Sequence, residues 1–67
     1  MNTITVNGKG LEIEEGETIL SLVHSKKLVP EAVVIERNES LVDRRQWANT
    51  VLQAGDTIEI VHFVGGG

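Results

Sequence analysis

Residues 57–63 read Thr-Ile-Glu-Ile-Val-His-Phe, a β-branched run that leads through Val64 into Gly65, Gly66 and Gly67. Strands rich in Ile and Val are normally buried and paired, so this run belongs inside a sheet. A triple glycine makes the opposite demand: it has no side chain to pack and resists being fixed. The contrast predicts a folded body over residues 1–64 that holds out a thin, flexible tail, residues 65–67. The reactive group of that tail is the α-carboxylate of Gly67.

The chain has 67 residues, enough for one domain with a modest core. Ten acidic residues against six basic ones give a net charge of −4, which argues against a nucleic-acid or anionic-membrane surface and suits a basic protein partner. Cysteine is absent, which removes disulfides, thiolate metal sites and a thiol nucleophile together. A reducing cytoplasm is therefore the expected location. The N-terminus alternates polar and apolar residues, so no secretory leader is expected. No apolar stretch has the length of a membrane span.

Upstream, Ile4 and Val6 alternate with polar residues and predict a strand. Asn7-Gly8 is a strong hairpin signal because both residues tolerate positive φ. Leu11 and Ile13 carry the same parity along the return strand. Thr18 is placed to cap a helix whose Ile19, Leu20, Leu22 and Val23 form a core-facing stripe. Lys26 and Lys27 suit its last turn, and Pro30 marks where it must have stopped. Ala32–Arg37 predicts a strand with Val33 and Ile35 inward and Glu36 outward, followed by a turn at Asn38–Ser40. Leu41-Val42 predicts a short edge strand, and Asp43–Ala48 a single helical turn. Val51-Leu52 fits a short strand or core filling, and Gln53–Asp56 a turn before the last strand.

A helix across one face of a mixed sheet is the economical layering for these elements. The first and last strands are strongly apolar, which places them side by side at the sheet centre. The expected fold class is thus α+β, a mixed sheet of four to five strands with one helix packed on one face. This is the arrangement of the β-grasp fold of ubiquitin.

Several stretches now stand together: Val33-Val-Ile-Glu-Arg-Asn38; Val42, Arg44 and Trp47; Leu52-Gln-Ala-Gly-Asp-Thr-Ile-Glu-Ile60; and Gly65-Gly-Gly67. Together they resemble the thiamine-biosynthesis sulfur carriers, the ubiquitin-like ThiS family, over essentially the whole chain. Asp43 departs from the pattern, where proline is expected, and bears on the stiffness of that loop alone.

The resemblance implies that an adenylating, E1-like activating enzyme uses ATP and magnesium on the C-terminal glycine, Gly67. A sulfur donor linked to a cysteine desulfurase then displaces AMP and leaves a thiocarboxylate, and thiazole synthase takes that sulfur. On this reading the chain is a carrier and a substrate of its partners, without enzymatic activity, and binds no cofactor or metal itself. It is expected to be a monomer when alone. Gly65 and Gly66 are the residues expected to thread into partner active sites.

Strand parity puts Ile58 and Ile60 with the core and Glu59, Val61 and Phe63 on the opposite face. With no layer over that face, Val61, Phe63 and Val64 form the expected partner interface beside the tail. His24 and His62 lack a third ligand at useful spacing and are expected on the helix surface and partly covered on the strand. Arg44 and Arg45 are expected to be solvated or paired with nearby acids, and Trp47 to pack in the core or at its rim. Two other ubiquitin-like functions share the glycine end, the molybdopterin-synthase small subunit and a protein modifier that forms isopeptide bonds. The Glu36-Arg-Asn38 turn and the compact length argue against the former.

Overall fold

The computed structural model describes residues 2–63. Strands β1 (Asn2–Val6) and β2 (Lys9–Ile13) form a hairpin, followed by helix α1 (Ile19–Ser25) and a 3-10 turn at Pro30–Ala32. Strand β3 (Val33–Arg37), strand β4 (Ser40–Leu41), a 3-10 helix (Arg44–Asn49) and strand β5 (Thr57–His62) follow within the described residues. The five strands lie in the order β2-β1-β5-β3-β4. Strand β5 runs parallel to β1 and antiparallel to β3, so the most apolar strand occupies the centre.

Local chemistry explains most boundaries. Asn7 and Gly8 take φ of 49° and 83°, as a two-residue type I′ hairpin loop requires. The Thr18 hydroxyl accepts from the Ser21 N–H at 3.1 Å, and the Ser21 hydroxyl accepts from the Thr18 N–H at 3.0 Å. This reciprocal box fixes the start of α1. A seven-residue helix is too short to persist by itself, and burial of Ile19, Leu22 and Val23 holds it on the sheet. Leu20, expected in the same stripe, is half-buried.

The end of α1 differs from expectation. Lys26 is the capping residue and Lys27 takes φ 58°, beyond the last turn. The Leu28 N–H donates to the Val23 carbonyl at 3.2 Å and the Lys27 N–H to the His24 carbonyl at 2.9 Å. These bonds make a Schellman ending with lysine where glycine is usual, so the missing glycine hid the stop.

The edge strand is Ser40–Leu41 instead of Leu41-Val42. Val42 still donates its N–H to the Ile35 carbonyl at 3.0 Å, but its own carbonyl accepts from Trp47 Nε1 at 3.0 Å. That bond satisfies the indole N–H of a side chain only 1 % exposed. The expected single turn is a six-residue 3-10 helix capped by the Asp43 carboxylate, which accepts from the Arg45 N–H at 2.8 Å. Asp43 has φ −58°, within the range proline would impose, so capping here replaces stiffening. Val51 makes an isolated bridge with Thr18, and Leu52 fills the core.

Candidate functional site

Val64, Gly65, Gly66 and Gly67 lie outside the described residues. The structure does describe the strand that leads to them and the face beside it. Along β5, Ile58 is fully buried and Ile60 half-buried against the core, while Glu59, Val61 and, just past the strand end, Phe63 are exposed. Val61 and Phe63 retain 51 % and 58 % of their surface in solvent, so the expected partner face is uncovered in the isolated chain.

The sheet register brings further residues to that face. Val34 lies opposite Val61, Glu36 opposite Glu59, and Leu41 on β4 opposite Glu36. An apolar end made by Val34, Leu41, Val61 and Phe63 therefore grades into a cross-strand pair of glutamates. Leu41 is 71 % exposed, more than any other large apolar side chain among the described residues. Like charges placed directly opposite repel, and a basic partner surface would relieve them. A shallow groove of about 520 Å³ between Phe63, Val34, Leu41 and Arg44 continues this face around the β3 edge.

On the other face His62 is exposed instead of partly covered, because β1 has turned away at Asn7 before reaching it. It lines a second groove of about 690 Å³ with Lys9 and Lys26. His24 is exposed on α1, as expected. Arg45 pairs with Asp43 at 2.9 Å, and hydrogen bonds from Arg45 hold the Asp43 carboxyl at a pKa of about 2. Arg44 is exposed. Among the described residues no three His, Cys, Asp or Glu side chains gather closely enough to hold a metal ion, and no helix is long and apolar enough to cross a membrane.

The sequence reading missed the group that seats β5. Asp56 is only 5 % exposed. Its Oδ2 accepts from Arg37 Nε and from the Gln53 N–H, both at 2.8 Å, and its Oδ1 accepts from Asn38 Nδ2 at 3.1 Å. The Asn38 Oδ1 accepts from the Thr57 N–H at 2.9 Å, closing the network onto the first residue of β5. Burial pushes the Asp56 pKa up, but these donors outweigh it and hold the carboxyl below its ordinary value. The Arg37-Asn38 turn and the Gly55-Asp56 turn are thus halves of one structural unit. The available signal was their co-occurrence in the family pattern.

A β-grasp body with an exposed sheet face beside its final strand defines a ubiquitin-like protein. The sequence profile of the ThiS family matches residues 2–67, and the chain belongs to that family. It is 37 % identical over 65 residues to the sulfur carrier protein ThiS of Bacillus subtilis, covering 96 % of this chain and 98 % of that one. It is 42 % identical over 64 residues to a thiazole synthase of Magnetococcus marinus, where the match covers 96 % of this chain but 20 % of the relative. The chain thus spans about a fifth of that thiazole synthase, which carries a ThiS-like stretch within it. The crystal structure of the thiamine biosynthesis protein ThiS from Geobacter metallireducens superposes with a TM-score of 0.82 at 31 % identity, covering 97 % of this chain and 99 % of that one.

Proposed function

We propose that this sulfur-carrier family member works in thiamine biosynthesis by holding sulfur as a thiocarboxylate on Gly67. An E1-like activating enzyme uses ATP and magnesium to transfer AMP to the Gly67 carboxylate. The step is needed because a carboxylate repels nucleophiles and offers no good leaving group. A donor persulfide, fed by a cysteine desulfurase, attacks the acyl carbon through its terminal sulfur and AMP departs. A second thiol then breaks the S–S bond, leaving the thiocarboxylate on Gly67 and a disulfide on the donor side, and thiazole synthase takes the sulfur. The catalysis belongs to these cytoplasmic partners, and the chain is their substrate. Gly65 and Gly66, without Cβ atoms, suit a narrow channel. Four extended residues from Val64 reach at most about 14 Å.

The observation that carries this reading is the family match over residues 2–67, glycine end included. The uncovered Val61 and Phe63 beside that end support docking through this face, and a thiazole synthase with a ThiS-like stretch supports that enzyme as a partner. Mass spectrometry tests it. Incubated with activating enzyme, ATP, magnesium and sulfur donor, the chain ending at Gly67 should gain the mass difference of sulfur over oxygen. Deleting Gly67 shortens the reach by about 3.5 Å, and adding a residue after it turns the carboxylate into an amide. Conversion of either variant at the intact rate would falsify the proposal.

A further inference from the structure

Asn7 does more than turn the hairpin. In a parallel pair, one residue donates its N–H to one partner carbonyl and accepts at its own C=O two residues further along. Thr5 and Asn7 follow this pattern, donating to the Asp56 and Ile58 carbonyls, both at 2.9 Å. The next step needs an acceptor at residue 7 and a donor at residue 9, both aimed at Ile60. The chain has by then turned back at Asn7-Gly8, and the β1–β5 ladder contains only Thr5–Thr57 and Val6–Ile58. The Asn7 side chain supplies both missing groups. Its Oδ1 accepts from the Ile60 N–H at 2.7 Å, and its Nδ2 donates to the Ile60 carbonyl at 3.2 Å. A side-chain amide has the donor and acceptor of a peptide group and here extends the ladder by one step.

On its other side β5 pairs with β3 as far as His62, and the Phe63 N–H reaches the Ala32 carbonyl at 2.8 Å. The amide of Asn7 is therefore what holds the second edge of β5 beyond Ile58. Without it, residues after Ile58 would be a strand held from one side, free to twist and lift from the core. Those residues carry the docking face and lead to Gly67.

Resting on the carrier reading above, we infer that Asn7 is a positioning residue: by clamping Ile60 it sets the line along which β5 delivers Gly67 to the activating enzyme. Val61 pairs with Val34 on the β3 side of the strand, away from Asn7, so loss of the clamp is expected to change delivery more than docking.

The test compares the full-length chain with Asn7→Gly, which keeps positive φ but removes the amide, and with Asn7→Asp, which keeps the acceptor and loses the donor. Amide exchange at Ile60 and Ile58 reports the clamp. Pyrophosphate release by the activating enzyme, at a temperature where each variant is folded, gives kcat and KM for the carrier. Asn7→Gly should raise exchange at Ile60 well above that at Ile58. It should also lower kcat by about tenfold or more, as misplacement of a reacting group does, with KM held within about threefold. Asn7→Asp should fall between, and carries the same comparison if Asn7→Gly melts below the assay temperature. Unchanged Ile60 exchange, or raised exchange with kcat intact, overturns the inference while the carrier reading stands. An intact chain that is never adenylated overturns both.

Discussion

Ile58, near the start of β5, and Phe63, just beyond its end, have opposite surroundings. Truncating the fully buried Ile58 to Ala should cost about 2–5 kcal/mol by lost burial and the cavity left behind. Phe63→Ala should leave the melting temperature nearly unchanged, yet weaken binding to the activating enzyme by more than about 1 kcal/mol. Urea titration and calorimetric binding measure the two. A destabilised Phe63→Ala that binds normally would return Phe63 to the core. Asp56 gives a pH-dependent prediction. Its folded pKa lies below the ordinary carboxylate value, so its contribution is complete above that ordinary value and lost as pH falls through the folded value. Asp56→Asn keeps the shape but weakens the charge-assisted bonds to Arg37 and Gln53, and should cost about 1–3 kcal/mol at neutral pH. The gap between Asp56→Asn and the parent should shrink as urea titrations move below about pH 4. A gap independent of pH would mean that Asp56 acts by packing alone.

At the level of elements, α1 shows a local preference yielding to its surroundings. Lysine in the left-handed region costs about 1–2 kcal/mol, yet the Schellman bonds and the partial burial of Leu28 hold Lys27 there. Lys27→Gly should therefore stabilise the protein by about 0.5–1 kcal/mol, the relief of strain being partly offset by a more disordered unfolded chain. A denaturant midpoint that falls instead would show that the lysine side chain contributes more than its backbone strain removes. The β3–β4 turn has the same character, with Asn38 and Glu39 at φ 52° and 73°. There the Asn38 side chain is committed to Asp56 and the Thr57 N–H, which ties the turn to the start of β5.

Across the whole molecule, the helix covers one sheet face and leaves the other to solvent. That division makes a carrier possible, because one face stabilises the body while the other stays free for a partner. The Glu36–Glu59 pair on the open face predicts a basic partner surface. Glu59→Lys should pair with Glu36 and raise stability by a few tenths of a kcal/mol, a common scale for cross-strand pairs, roughly 0.2–1. It should also slow association with the activating enzyme, with the difference narrowing at high ionic strength as screening increases. Stopped-flow association across a salt series reads this directly. Equal association rates at low salt would remove the electrostatic role of the face.

Much of this protein was legible in the sequence because the signals are local and periodic. The alternation of Ile4 and Val6, the Asn7-Gly8 turn, the Thr18 cap, the inward Val33 and Ile35, and the parity of Ile58 against Val61 and Phe63 all follow from backbone geometry at short range. The exposure of the sheet face that carries Val61 followed too, since a single helix cannot cover both sides of a sheet. Tertiary structure alone decided the partners of groups far apart in the chain. Asp56 meets Arg37 and Asn38 across 19 and 18 positions, and Asn7 meets Ile60 across 53. Neither spacing has a period to read, and an Asn in a hairpin or an Asp after Gly55 already has a sufficient local explanation as a turn residue. The exposure of His62 was hidden likewise, because it depends on where β1 stops beside β5, and that is set by long-range register.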